Sequence, residues 1–273
     1  MRIDYIKLSP TGNITVLVRT PVPRVAQADL AARLLSADGV GGEQVGYIEQ
    51  SSDPRAVGRL QMMGGEFCGN ATMSLCAVAA RATGLKDGGE SDFLCEVSGS
   101  PALVACRVSL DKGVWRGRVD MPLPTRLGQA ELPVDGGVIA APMIEMPGIT
   151  HLILEGGARP DGDTIRRWLP EWCRILGAEA LGALLWDGDD GCMDPYVYVP
   201  SAGTLVQEHG CGSGSAAIGA HLAARAGKSL STPVRQPGGV IVADAVWGGG
   251  ALRRLSITGR IEWLEEGAVD LPV

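Results

Sequence analysis

The chain has 273 residues, of which 45% are hydrophobic and 20% charged, so it can bury a sizeable core and is not expected to be disordered. Its 24 basic and 31 acidic residues give a net charge of −7, which excludes bulk attraction to nucleic acid or to an anionic membrane surface. No apolar run reaches the about 18 residues of a membrane helix, and the start lacks the apolar region of a signal peptide. We therefore expect no nucleic-acid and no membrane partner, and a cytoplasmic location.

The cysteine pattern argues against a metal centre. The seven cysteines are Cys68, Cys76, Cys95, Cys106, Cys173, Cys192 and Cys211. They form no CxxC pair, and the chain has only three histidines and no HExxH motif, so we predict no metal site. In a reducing compartment the cysteines are expected to be free thiols, most of them small core residues.

In the first half, hydrophobic spacing and turn residues predict short strands, two helices and a hairpin. The strands are predicted at 3–8, 14–18, 45–49 and 60–63, the helices at 24–36 and 69–83, and the hairpin strands at 103–110 and 114–121.

The pattern begins again after Pro122 and Pro124. Strands are predicted at 149–154, 181–186, 196–199, 240–246 and 252–258, and helices at 163–176, disturbed by Pro170, and at 212–226.

The two halves share one motif, a cysteine before an alanine-rich helix. Cys68 and Cys211, 143 positions apart, each lie 16 residues before a glycine, Gly84 or Gly227, that ends an alanine-rich helix. A chance likeness between alanine-rich helices is the alternative to a duplicated unit. On the duplication we predict two domains, 1–122 and 123–261, and a C-terminal strand at 262–273 can complete the first.

Each Cys-Gly pair is predicted at the start of a helix. The first backbone N–H groups of a helix lack internal partners and, with the helix dipole, form an anion site. A cysteine there is expected to have a lowered pKa, and the following glycine lets a carboxylate approach the backbone.

Two such helix starts suggest a reaction that inverts a stereocentre. If both face one amino acid, its α-carboxylate can accept hydrogen bonds from the N–H groups of Gly69, Asn70, Gly212 and Ser213. The two sulfurs can then lie on opposite faces of Cα. One thiol would remove the Cα proton while the other delivers a proton to the opposite face, which inverts the configuration. No metal or pyridoxal phosphate is implied, and N–H donors at the carboxylate would stabilise the enediolate.

The motifs resemble those of the diaminopimelate epimerase superfamily and, within it, the histidine racemases of staphylopine-type opine metallophore biosynthesis. The matching segments are Ser9-Pro10-Thr11-Gly12-Asn13, residues 42–49, Glu66 to Ser74, Glu208, Cys211 to Ser215, and Gln236-Pro237-Gly238-Gly239.

The resemblance implies an α+β fold of two pseudo-symmetric domains, each a barrel-like, mostly antiparallel sheet around a central helix, with the active site in the cleft. It makes Cys68 and Cys211 the catalytic pair. It adds Asn13, Glu43, Gln44 and Glu208 to the substrate-binding residues. It also implies an amino-acid substrate, no cofactor and, by analogy, a homodimer.

Departures from the diaminopimelate epimerases bear on the substrate. Those enzymes have Glu-Arg before the second cysteine, where this chain has Glu208-His209, and an asparagine near the position of Met62-Met63. Both changes weaken the case for a second amino-acid head group, and Asn70 argues against the hydroxyproline branch.

The predicted activity is interconversion of L- and D-histidine for a metallophore. The alternatives are diaminopimelate epimerase or another amino-acid racemase of the superfamily, and a non-racemising isomerase or small-molecule binder on the same fold. His151 is expected to be a satisfied core histidine rather than a site residue.

Overall fold

A computed structural model describes residues 1–36, 38–156 and 160–271. The chain divides into two compact units, Met1–Asp120 with Thr258–Val273, and Met121–Ile257. Residues 272 and 273, the end of the predicted segment 262–273, lie outside the described residues. Both units combine α-helices with a predominance of strand, as the sequence predicted.

In the first unit each strand is hydrogen-bonded to the next, and the last strand pairs with the first. Its strands are β1 (Arg2–Pro10), β2 (Thr15–Val18), β3 (Gln44–Glu49), β4 (Arg59–Met62), β5 (Gly89–Val97), β6 (Val104–Asp111) and β7 (Val114–Asp120). They neighbour one another in that order, β7 lies beside β16 (Ala251–Asp270), and β16 pairs antiparallel with β1 from Arg2↔Asp270 to Pro10↔Ile261.

Two helices complete this unit. Helix α1 (Arg24–Leu35) packs on β3, where Ala31 and Leu34 join a buried cluster with Val45 and Tyr47. Helix α2 (Gly69–Ala82) contacts β1, β2 and β4 to β7, and most of its residues are buried. Its small side chains allow strands to approach it on several sides, which fixes the position of its N-terminus.

The second unit repeats the use of a buried, small-residue helix. Its strands are β8 (Arg126–Val134), β9 (Gly137–Met146), β10 (Ile149–Glu155), β11 (Leu181–Asp187), β12 (Cys192–Val199), β13 (Thr204–Gln207), β14 (Leu230–Gln236) and β15 (Gly239–Gly248). Helix α4 (Gly212–Ala226) packs on β9, β10, β14 and β15, whereas α3 (Gly162–Leu176) packs on β8, β11 and β12. A 3-10 turn spans Pro200–Ala202.

Several predicted boundaries were wrong. Strands β5, β8, β9, β13 and β14 were not predicted, and the strands predicted separately at 252–258 and from residue 262 form one strand, β16, which runs to Asp270. Helix α3 continues through Pro170. Among the described residues, no helix is both long and apolar enough to span a membrane.

Candidate functional site

Cys68 is the N-cap of α2. Its extended backbone, with φ −132° and ψ 110°, directs the sulfur back over the first turn, where it accepts the N–H of Ala71 at 3.4 Å. The Thr72 hydroxyl donates to the Cys68 carbonyl at 2.7 Å. Gly69 and Asn70, predicted to bind a carboxylate, form the buried first turn. The predicted helix start is therefore confirmed, with the thiol acting as the cap.

Two of the predicted binding residues lie beside Cys68. The Cys68 thiol donates to Gln44 Oε1 at 3.1 Å. The amide nitrogen of Gln44 donates to Asn13 Oδ1 at 2.6 Å and to Thr15 Oγ1 at 2.7 Å. Because the amide uses both N–H groups in this way, its oxygen is the atom that faces the sulfur. Gln44 thus connects Asn13 to the thiol.

Glu43 lies one residue before Gln44 and is exposed. Its backbone N–H donates to the Ile14 carbonyl at 2.8 Å, which holds the start of β3 against the segment that follows Asn13. The carboxylate is thereby carried on the same short segment as the Gln44 amide.

The loop before Cys68 is fixed by two residues that the sequence reasoning missed. The Ser98 hydroxyl accepts the N–H of Met62 at 3.0 Å and donates to the Glu66 carbonyl at 2.8 Å. Gly99 has φ +71°, and a Cβ there would overlap the backbone of Phe67. A glycine is therefore required for the chain to pass this loop so closely.

Cys211 caps α4 in the same manner. Its φ of −90° and ψ of 105° place the sulfur 3.3 Å from the N–H of Gly214, and the Ser215 hydroxyl donates to the Cys211 carbonyl at 2.8 Å. These contacts lie three and four residues after the cysteine, the same offsets as Ala71 and Thr72 after Cys68. The predicted likeness of the two helix starts thus extends to their hydrogen bonds.

The backbone of Cys211 is also held by Gln236. Its Oε1 accepts the Cys211 N–H at 2.6 Å, and its Nε2 donates to Ser215 Oγ at 2.8 Å. Gln236 was identified only as part of a segment that resembles the family. Its contact with Cys211, 25 positions upstream, is a tertiary contact that the local sequence does not indicate.

A fully buried histidine lies behind the second helix start. His151 Nε2 is 3.0 Å from Ser213 Oγ, which is 3.6 Å from the Cys211 sulfur. His151 Nδ1 has no hydrogen-bond partner among the described residues. Burial lowers the pKa of His151 to about 3, so the imidazole is neutral. His151 is the core residue that was expected, but its ring is satisfied at one nitrogen only, and that nitrogen contacts Ser213, a predicted binding residue.

The space for this imidazole comes from the neighbouring strand. His151 on β10 pairs with Gly182 on β11, and a Cβ at Gly182 would overlap the ring. The sequence offered no signal for this pair, because the register of two parallel strands is a tertiary property.

The expected lowering of the cysteine pKa is wrong for Cys211. Burial, followed by the charge of Glu208 and a hydrogen bond with it, raises the Cys211 pKa well above its ordinary value. The Ser213 side chain and the Gly214 N–H act in the opposite direction. Desolvation of a thiolate and a nearby carboxylate thus outweigh the donors of the helix start. The Cys211 thiol is therefore protonated at neutral pH.

The other five cysteines do not cap the start of a helix. Cys76, Cys95, Cys106 and Cys173 are buried, Cys192 is half-buried, and all are free thiols. The Cys76 and Cys95 sulfurs are 3.0 Å apart in the core of the first unit. Within the described ranges, no three His, Cys, Asp or Glu side chains are grouped to hold a metal ion.

The sequence of this chain is similar to those of known amino-acid racemases. A family described as the histidine racemase CntK N-terminal domain matches residues 2–269. A histidine racemase of Staphylococcus aureus is 30% identical over 247 residues, covering 89% of this chain and 88% of the relative. One of Fusobacterium nucleatum is 28% identical over 229 residues, covering 81% and 80%.

A solved structure shares the fold. The crystal structure of a hydroxyproline epimerase from Agrobacterium vitis, with bound trans-4-hydroxy-L-proline, superposes with a TM-score of 0.73. The match covers 98% of this chain and 92% of that one at 15% identity, so it bears on the fold alone.

Proposed function

The chain belongs to the histidine racemase CntK N-terminal domain family and is an amino-acid racemase, and on this premise we propose that it interconverts L- and D-histidine. The proposed bases are Cys68 and Cys211, and the proposed reaction uses no cofactor. The observation that carries the proposal is the pair of matched helix starts, each with a thiol held over the first turn by an N–H, from Ala71 or Gly214.

The proposed reaction is two proton transfers at one carbon. One thiolate takes the Cα proton, so the C–H bond breaks, an S–H bond forms and the electron pair passes into the carboxylate as an enediolate. The other thiol then donates its proton to the opposite face of Cα. For the mirror-image substrate the two sulfurs exchange roles.

The carboxylate is assigned to the two helix starts. Backbone N–H groups in the first turns, from Gly69 and Asn70 in α2 and from Gly212 and Ser213 in α4, have no acceptor within their own helices. Donors fixed before the reaction stabilise the enediolate without reorganisation, which is how a weakly acidic Cα–H becomes removable.

Two features favour histidine as the substrate. Glu43 and Glu208 supply carboxylates for the ammonium or imidazole of the substrate. Met62 and Met63 lie near the position of the asparagine of diaminopimelate epimerases, which weakens the case for a substrate with a second amino-acid head group. The half-buried Glu208 already affects Cys211, so its charge acts close to the reacting groups.

The test is incubation of the purified protein with L-histidine in deuterated water without added cofactor. We expect D-histidine that carries deuterium at Cα, because the donated proton comes from a thiol that exchanges with solvent. An unchanged optical rotation would refute the histidine assignment, and a parallel incubation with diaminopimelate tests the sister activity.

We also propose that the D-histidine supplies the synthesis of an opine-type metallophore, on the resemblance to that group of racemases. Cells without this protein should lose secretion of a metal chelator in metal-poor medium, and added D-histidine should restore it. Restoration by L-histidine alone would contradict the proposal.

A further inference from the structure

A buried amide closes a ring of hydrogen bonds on Cys211. Gln236, the last residue of β14, is only 9% exposed. Its Oε1 takes the Cys211 N–H, its Nε2 donates to Ser215 Oγ, and Ser215 Oγ donates to the Cys211 carbonyl, at 2.6, 2.8 and 2.8 Å. The ring therefore begins and ends on the two peptide groups that flank one α-carbon.

This ring fixes the backbone that carries the sulfur. The position of Cβ relative to the helix follows from φ and ψ of Cys211, and both dihedrals depend on the orientations of its two flanking peptides, while contacts of the sulfur itself fix the rotation about Cα–Cβ. With those peptides fixed, the sulfur is held 3.3 Å from the Gly214 N–H and 3.6 Å from Ser213 Oγ. Loss of the amide releases the peptide that precedes Cys211 and removes the support of the Ser215 hydroxyl, while the Ser215 N–H still bonds the Cys211 carbonyl at 3.1 Å.

The turn after Gln236 holds the chain on the other side of Cys211. The N–H of Gly238 donates to the His209 carbonyl at 2.7 Å. Residues 236–238 thus hold residues 209–211 at two points, one before the cysteine and one at the cysteine itself. The ring also occupies the Cys211 N–H, so the next donors of the helix start are those of Gly212 and Ser213.

We propose that Gln236 is a positioning residue for proton transfer at Cys211 and not at Cys68. It touches neither the thiol nor, in the proposed reaction, the substrate, and it acts through the backbone. This inference rests on the proposed two-thiol reaction. It predicts that removal of the amide slows proton transfer to and from one sulfur only.

The isotope effect separates this role from a loss of folded protein. For Gln236→Leu we measure kcat/KM with L- and D-histidine deuterated at Cα. One enantiomer gives its deuteron to Cys211, and its isotope effect should rise above the wild-type value because that transfer becomes limiting. For the other enantiomer, whose deuteron goes to Cys68, the isotope effect should fall. We expect kcat/KM to decrease by about 10- to 100-fold, the scale of a small misplacement of a catalytic group.

Matched variants define the direction of the effect. Ser215→Ala breaks the same ring and should shift the isotope effects in the same direction as Gln236→Leu. Thr72→Val removes the equivalent bond to the Cys68 carbonyl and should shift them in the opposite direction. Gln27→Leu removes another buried amide, which bonds Val22 and Glu49, and should leave both isotope effects unchanged.

Alkylation by iodoacetamide, followed by mass spectrometry of each cysteine, tests the inference without the racemase reaction. Gln236→Leu and Ser215→Ala should alkylate Cys211 several-fold faster than wild type, with Cys68 unchanged. Two results would overturn the inference. The first is a Ser215→Ala variant with wild-type isotope effects and wild-type Cys211 alkylation, which can be measured even if Gln236→Leu does not fold. The second is an equal change at both cysteines. Absence of Cα exchange in the wild-type protein would instead refute the proposed function.

Discussion

The Cys68 sulfur lies 3.1 Å from Gln44 Oε1, and the Gln44 amide cannot turn its nitrogen to the sulfur without losing its bonds to Asn13 and Thr15. The first thiol therefore faces a fixed acceptor, whereas the second is flanked by Ser213 and Glu208. The two helix starts share their capping geometry but differ in the groups that meet the sulfur.

Replacement of this acceptor should impair Cys68 without unfolding the protein. Gln44→Met keeps the length of the side chain but removes the oxygen and both donors. We expect kcat/KM for histidine to fall by about 10- to 100-fold because the thiol loses its fixed orientation. Steady-state kinetics measure the change, with Gln27→Met as the control for loss of a buried amide. Wild-type kcat/KM in Gln44→Met would show that the contact has no role in catalysis.

Removal of the Glu208 charge should lower the pKa of Cys211. The Glu208 carboxylate raises that pKa by its charge and by its hydrogen bond. Glu208→Gln removes the negative charge, so the Cys211 thiolate forms at a lower pH. The pH at which the iodoacetamide reaction of Cys211 reaches half its maximal rate should move to lower pH. Glu145→Gln, which alters only a surface ion pair with Arg126, is the control. A midpoint that stays in place or moves upward would contradict this electrostatic assignment.

The contact between Gly182 and His151 should appear as a coupled pair in stability. Gly182→Ala adds a Cβ against the imidazole, and we expect a loss of about 1–3 kcal/mol in the free energy of unfolding. In the background of His151→Ala the space is open, so the same substitution should cost much less. Urea unfolding of the two single variants and the double variant measures the coupling, and simple additivity would contradict the contact.

The buried neutral His151 should make the protein less stable in acid. Its pKa is about 3 when folded, against an ordinary value of 6.5, so the unfolded chain binds the proton first as the pH falls. The stability due to the neutral ring is complete above pH 6.5 and is lost between pH 6.5 and 3, by about 1.4 kcal/mol per pH unit. Urea unfolding at pH 7 and pH 5 should therefore separate wild type from His151→Gln. An equal decrease in both would show that this residue does not contribute.

Local sequence predicted the parts of the site that local physics determines. The starts of α2 and α4 were predicted correctly because a cap, a first-turn glycine and an alanine-rich helix lie in consecutive positions. Gln236 and Ser98 could not be predicted because they reach Cys211 and Glu66 through tertiary contacts. The pKa of Cys211 was predicted wrongly since neither its burial nor its contact with Glu208 can be read from position at a helix start.

The strands were predicted in part. The predicted C-terminal strand is confirmed from residue 262 to Asp270 and pairs with β1 from the opposite end of the chain, but its continuity with the strand predicted at 252–258 was missed. Strands β8 and β9 contain Pro133 and Pro142, which weaken a strand pattern in the sequence, yet the two strands pair along their whole length.

In the proposed reaction, inversion requires one thiol from each unit. The most direct test of this requirement is the rate of histidine racemisation by Cys68→Ser and by Cys211→Ser, each confirmed as folded by circular dichroism. We expect that neither single variant racemises histidine, because in each direction one sulfur must take a proton and the other must give one. Wild-type racemisation by either variant would contradict it.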